Sequence, residues 1–208
     1  GNWGKDYKVG QVPVYALLQS EGLNMLGYLY HALSLNADVQ VLFDETRAEQ
    51  YNLFNVRYVV APAEQAFPEF VQPLATFGRH CLYQVTTGGY FDLVGSEAAF
   101  AGNKHEFYPA AAHWLASDLP RVGDHPALLL SGAAGDYERT FSLSQATEVI
   151  SLAHFPAEPP RGQVLSQTLG SQVYQAKVEV ERDSFLLLKV TYHPGWVATV
   201  DGVAAETV

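Results

Sequence analysis

Cysteine, basic charge and long apolar runs are scarce in this chain, and each scarcity closes a class of function. One cysteine, Cys81, makes a disulfide framework impossible and excludes a multi-cysteine zinc site. Cys81 lies in the strand-like run His80-Cys81-Leu82-Tyr83, which favours a buried structural thiol over a nucleophile. Twelve Lys and Arg against 22 Asp and Glu leave a net charge of −10, and the basic residues are scattered. Nucleic-acid binding needs a basic footprint, so nucleic acid is excluded as a partner. An anionic membrane surface would also repel the chain as a whole. No segment reaches the ~18 continuous apolar residues of a membrane span, and no signal peptide is visible. The first residue is Gly1 rather than Met and the sequence stops at Val208 in mid-pattern, so it reads as an excised fragment.

What is present is a globular composition, 48% hydrophobic and only 16% charged. At 208 residues the chain suits one large or two small domains. A chain of this size buries about 70% of its unfolded surface without needing a covalent staple. Aromatics at 12%, mostly Tyr and Phe, favour strands and stacking surfaces.

Periodicity divides the chain into three parts. Leu26, Leu29, Tyr30 and Leu33 form one apolar stripe and predict a helix over about Ser20 to Leu33. Asp44 to Gln50 looks like a helix start with acids in its first turn. Asn55 to Pro62 is a β-rich run stopped by proline. Phe70 to Leu74 is predicted as a short helix broken around Pro73, with strands at Arg79 to Val85 and Tyr90 to Val94. Residues 1–95 thus predict a small α+β unit. Residues 96–137 form a less regular bridge, with a short helix at Ala110 to Ala116 and a strand at Ala127 to Leu130. Residues 138–208 predict an antiparallel β-sandwich that lacks its last strand or two. Its strands are Thr147 to Leu152, the alternating run Tyr174 to Val180, the run through Leu186, Leu188, Val190 and Tyr192, and the strand carrying Trp196, Ala198 and Val200. Asp201-Gly202 is a two-residue hairpin signal. The predicted fold class is therefore α+β.

Motifs that carry chemistry are thin. His113, Asp118, Asp124 and His125 share the bridge, but without a recognised metal-ligand spacing, and turn formation explains the aspartates more simply. Ser117 has no nucleophile elbow around it. Gly132-Ala133-Ala134-Gly135 lacks the Lys-Ser/Thr of a phosphate loop. Glu179 and Glu181 sit on the polar side of a strand and its turn. The chain offers no catalytic, metal or cofactor residues. In Tyr192-His193-Pro194-Gly195-Trp196, Pro194 fixes φ, Gly195 allows a bend, and Trp196 either plugs a core or forms a sugar-stacking platform with Tyr192. Tyr192, Trp196 and Asp201 are the candidate glycan contacts.

Two segments, in order, resemble a known family. Asn52-Leu53-Phe54-Asn55-Val56-Arg57-Tyr58-Val59-Val60 resembles the "LLNVRYVV" segment of the YfhO-like family of bacterial polytopic membrane proteins. Phe185 to Leu188 leading into Tyr192 to Gly202 resembles that family's "YYPGWKAYVDG" segment, and Thr87 to Asp92 matches more loosely between them. That family is similar to C-type glycosyltransferases. The resemblance implies a soluble, extracytoplasmic C-terminal part of a membrane-embedded protein, with the parent's transmembrane helices and a glycan or lipid-linked sugar as partners. The acidic residues that bind metal and donor in such enzymes lie in loops among membrane helices, which this sequence does not contain. The resemblance therefore implies a non-catalytic accessory domain of a glycosyltransferase-like parent. A stand-alone carbohydrate-binding β-sandwich and, more remotely, a metal-dependent hydrolase are the alternatives.

Overall fold

The computed structural model describes residues 8–26, 39–130, 137, 139–152, 159–190, 193 and 195–207. The fold is α+β, as its mixture of periodicities predicts. A two-stranded turn, β1 (Lys8–Val9) with β2 (Val12–Pro13), leads into helix α1 (Val14–Ser20). That helix ends where the sequence predicts one to begin. Leu23 N–H bonds to Leu18 O and Gly22 N–H to Gln19 O, with Gly22 at φ 75°, the hydrogen-bond pattern that closes a helix through a left-handed residue. Residues 21–26 are non-helical, and the rest of the Ser20 to Leu33 prediction lies outside the described residues.

Helix α2 (Ala48–Leu53) follows an Asp44 turn, in which Asp44 Oδ1 accepts the backbone N–H and hydroxyl of Thr46 at 2.9 and 2.7 Å. The next three strands form an antiparallel sheet in the order β3 (Tyr58–Pro62), β5 (His80–Gln84), β4 (Gln72–Phe77). The strand β4 corrects the helix expected at Phe70 to Leu74. Pro73 breaks a helix, but it is admissible on an edge strand, and here it adjoins the register shift between Pro73 and Ala75. Phe70 and Val71 instead turn inward, with Phe70 edge-on to Tyr51 at 5.3 Å and Val71 4% exposed. Together with Val59, Ala61, Cys81, Tyr83 and Val85 these build one apolar core, and Cys81 is buried in it as expected.

The segment of least periodicity, 96–137, holds a regular crossover. Strand β7 (Ala99–Gly102) is followed by α3 (Phe107–Ala116), α4 (Leu119–Val122) and β8 (Ala127–Leu130), which runs parallel to β7. On the other side of β7 lies β9 (Thr140–Ser142), also parallel. A second core fills the space under this sheet, from Phe100, Phe107, Ala110, Ala111, Leu115, Leu119, Leu143 and Ile150.

The strand predicted at Thr147 to Leu152 is helix α5 (Ala146–Leu152). Ser142-Leu143-Ser144-Gln145 is an S-x-x-Q helix start, with Gln145 Oε1 accepting the Ser142 N–H at 3.3 Å. Ile150 is then 6% exposed in the second core, so tertiary burial overrides the β preference of the Val149-Ile150 pair.

The remaining strands are antiparallel. The ribbon β10 (Gly162–Leu169) with β11 (Tyr174–Val180) and the hairpin β13 (Ala198–Val200) with β14 (Val203–Ala205) each pair locally. Asp201 at φ 51° and Gly202 at φ 80° make the expected tight turn. The long-range link is β6 (Phe91–Val94) with β12 (Phe185–Leu188), which joins the first half of the chain to the second.

Helix α2 ties the two cores together. Tyr51 is 1% exposed in the first, while Leu53 packs on the second. Its Arg47 donates to the carbonyls of Ala116 and Ser117, and Gln50 Nε2 to Leu115 O at 3.1 Å. These bonds satisfy the last carbonyls of α3, and Arg47 sets a positive charge at the negative end of that helix.

Candidate functional site

An isolated charge in or beside an apolar strand needs a partner when it is buried, and Asp92 and Lys189 are two such charges. Asp92 interrupts Tyr90-Phe91-Asp92-Leu93-Val94, and Lys189 follows Phe185-Leu186-Leu187-Leu188. The β6–β12 register sets Asp92 opposite Leu187, and the ladder continues with Lys189 N–H on Tyr90 O at 2.8 Å. The two side chains meet, with Lys189 Nζ 2.7 Å from Asp92 Oδ2. Lys189 is only 2% exposed in its side chain, whereas Asp92 is 28% exposed. Burial pushes the Lys189 pKa down from its ordinary value, and Asp92 opposes that shift.

Asn52, on α2, completes the cluster. Its Nδ2 donates to Asp92 Oδ2 at 2.8 Å, and its Oδ1 accepts from Lys189 Nζ at 3.4 Å and from Gly88 N–H at 2.7 Å. One turn on, Asn55 closes the helix at φ 50° and accepts the Thr87 hydroxyl at 2.7 Å. From the opposite side Gln167 of β10 brackets the same 88–90 turn, giving Nε2–H to Gly88 O at 2.7 Å and accepting Tyr90 N–H at 2.8 Å. Gly89 has φ 90°, and a Cβ there would lie 2.3 Å from the Gln167 amide nitrogen, so only glycine fits. The turn is thus held rigidly between a helix and a strand.

Beside the cluster stands His125. Its backbone N–H bonds to Gly95 O at 2.8 Å, and its ring meets Trp114 edge-on at 5.1 Å. Burial depresses its pKa to about 4, with Lys189 adding to the shift and Asp92 opposing it. The ring is therefore neutral at physiological pH.

Asn52, Asp92 and His125 share the wall of a groove of about 280 Å³. Glu49 lies on the same wall, and so do Arg121, Arg161 and Arg182, three of the seven arginines in the chain. Arg161 Nη1 is anchored on Asp183 O and Arg182 Nη2 on Pro159 O, at 3.0 and 2.8 Å. Arg121 is looser, with its side chain 59% exposed and its contacts to the Asp118 carboxylate at 3.5 Å.

A second feature is a chain of aromatic rings. Tyr90 and Tyr174 are 5.8 Å apart between centroids, and Tyr174 and Trp196 5.7 Å apart, with each ring partly exposed. Trp196 is therefore neither a core plug nor a lone surface ring. Of the other candidate glycan contacts, Asp201 forms the tip of the β13–β14 hairpin, and Tyr192 lies outside the described residues.

The bridge residues do not converge. His113 Nε2 is 2.8 Å from Ser151 Oγ, Asp118 faces Arg121 and Arg47, Asp124 Oδ1 accepts the Glu97 N–H at 3.2 Å, and His125 packs on Trp114. Among the described residues no three His, Cys, Asp or Glu side chains are grouped to hold a metal ion. Among the described residues, too, no helix is long and apolar enough to cross a membrane.

Sequence reasoning missed Asn52, Asp92, Lys189 and Gln167 as a group. The usable signal was the pair of lone charges in or beside apolar strands; they lie 97 residues apart in sequence and meet only because β6 pairs with β12. When the chain is compared with protein-family models, with curated proteins and with solved structures, nothing matches.

Proposed function

We propose that this chain is a non-catalytic, extracytoplasmic accessory domain of a membrane-embedded, glycosyltransferase-like protein, and that it contacts the acceptor or glycan. The observation that carries the glycan part is the aromatic row Tyr90–Tyr174–Trp196. Sugar rings present apolar C–H faces that pack on aromatic rings, while their hydroxyls require polar partners nearby. Partly exposed rings contributed by three separate segments supply the first. The membrane part of the reading rests on the family resemblance. The segments that carry it, around Asn52, Thr87 to Asp92 and Phe185 onward, converge on the Asn52–Asp92–Lys189 cluster.

Two experiments test the two parts. Oligosaccharide binding on a glycan array is expected for the intact chain and is expected to fall on Trp196→Ala, with the circular dichroism spectrum unchanged. Because Trp196 is only partly buried, that substitution should cost less than the ~3–5 kcal/mol of a core aromatic. Unfolding on Trp196→Ala, or an array without signal, refutes the platform. An antibody against the chain should detect it in the membrane fraction of the source cells, accessible to protease from the outside. Detection in the soluble fraction refutes the membrane reading and favours the stand-alone carbohydrate-binding module.

A further inference from the structure

We propose that the groove beside Asp92 is a subsite for a single sugar residue, with Asp92 Oδ1 as its hydroxyl acceptor and Arg121 as its mobile donor. The inference rests on the glycan reading above and assigns it a polar site apart from the aromatic row.

The carboxylate is the starting point. Both of its partners, Asn52 Nδ2 and Lys189 Nζ, converge on Oδ2. Among the described residues Oδ1 accepts no hydrogen bond. An ionised carboxylate has about four acceptor sites, so one oxygen is fixed in place and the other remains to be used. Asp92 lines the groove and is 28% exposed. Its orientation is set by a buried lysine and by an asparagine that is itself tied to the Gly88 backbone, so little ordering remains to be done on binding.

The chemistry of the wall selects the ligand. Acceptors (Asp92, and Glu49, whose Oε1 is paired with Arg47 Nε at 2.5 Å) and donors (Arg121, Arg161, Arg182) line the same groove. A metal cation would meet three guanidiniums, and a phosphate would meet two carboxylates. A hydroxyl both donates and accepts, so a polyhydroxylated ring suits a wall of mixed sign. The volume of about 280 Å³ lies just under the ~300 Å³ at the small end of ligand pockets, which fits one sugar residue rather than a chain. Arg121, exposed and held at 3.5 Å by Asp118, can swing onto such a ring.

The test is a ¹⁵N–¹H NMR titration of the intact chain with D-glucose, D-galactose, D-mannose and N-acetyl-D-glucosamine separately, and with inorganic phosphate in parallel. At least one monosaccharide should shift the amides of Gly88, Asp92 and Arg121. Two variants probe the subsite. Gly88→Ala would set a methyl 3.1 Å from Asp92 Oδ1 and 3.3 Å from Asn52 Oδ1, leaving the Asp92 Oδ2–Lys189 ion pair in place, and Arg121→Ala removes an exposed donor. Each should weaken monosaccharide affinity about tenfold, the value of one hydrogen bond to a charged group. Trp196→Ala should leave monosaccharide affinity unchanged while reducing oligosaccharide binding. The subsite is overturned if no monosaccharide shifts these amides, if both variants bind as the parent does, or if phosphate alone produces the shifts. In those cases retained oligosaccharide binding through Trp196 keeps the glycan reading. Loss of all saccharide binding removes both.

Discussion

The Asp92–Lys189 pair should respond very unequally to removal of its two members. In Asp92→Ala the Lys189 ammonium, 2% exposed, keeps only Asn52 Oδ1 at 3.4 Å. Stranding a buried charge in this way costs about 3–5 kcal/mol. In Lys189→Met the surviving charge is Asp92, 28% exposed, which keeps the Asn52 Nδ2 hydrogen bond and gains water. That loss is worth about 1–2 kcal/mol, one hydrogen bond to a charged group. The double variant removes the stranded ammonium and should therefore be more stable than Asp92→Ala alone. Urea unfolding followed by circular dichroism, with an unchanged m-value, measures all three. The pH dependence adds a check. Burial lowers the folded pKa of Lys189, so between that value and the unfolded one near 10.5 the unfolded chain holds more protons, and stability rises with pH in that window. Removing Asp92 takes away the group that opposes the shift, so the window of Asp92→Ala extends to lower pH. Subtracting the Lys189→Met curve isolates this effect from Tyr51, whose raised pKa acts in the opposite sense at alkaline pH. The reasoning is refuted if Lys189→Met costs as much as Asp92→Ala, or if the double variant is the least stable.

Three further outcomes follow from particular residues. His125, with a folded pKa of about 4 against an unfolded value near 6.5, stays neutral while the unfolded chain takes up a proton; stability should fall by about 3 kcal/mol as pH drops from ~6.5 to ~4, and His125→Gln should flatten that limb in a pH series of thermal melts. Gly162 has φ 132°, and a Cβ there would lie 2.0 Å from Glu179 O across the β10–β11 ribbon; Gly162→Ala should cost about 3 kcal/mol by urea unfolding, and a loss below ~0.5 kcal/mol would contradict the geometry. At the hairpin tip, Asp201→Asn should be neutral and Asp201→Val should cost about 1–2 kcal/mol through its left-handed backbone; loss of glycan binding in Asp201→Asn without any change in melting would instead make Asp201 a ligand contact.

Where local chemistry sufficed, the sequence was legible. The alternation of β11, the burial of Cys81, the strand β3 ending at Pro62 and the Asp201-Gly202 turn all follow from residue type and period 2. Where two local signals competed, the weaker-looking one won for a physical reason. At Ser142 to Gln145 the helix-start pattern prevailed over β-branched residues because Ile150 gains burial on the α3 face. At Gln72 to Phe77 an edge position tolerates the Pro73 that a helix would not. At Gly22 a left-handed cap ends a helix, Val14–Ser20, where the sequence predicts one to begin.

The sequence by itself determined the α+β class and the Asp201-Gly202 hairpin, and it singled out Trp196 but paired it with Tyr192 rather than with Tyr174 and Tyr90. Only the tertiary structure decided that Asn52, Asp92 and Lys189 are one cluster, that Gln167 clamps the same turn, and that three scattered arginines line one groove. Turn and strand preferences are set within a few residues of backbone. The cluster depends instead on β6 pairing with β12 across the chain and on α2 packing between two cores, and no local pattern encodes which buried lysine will find which aspartate.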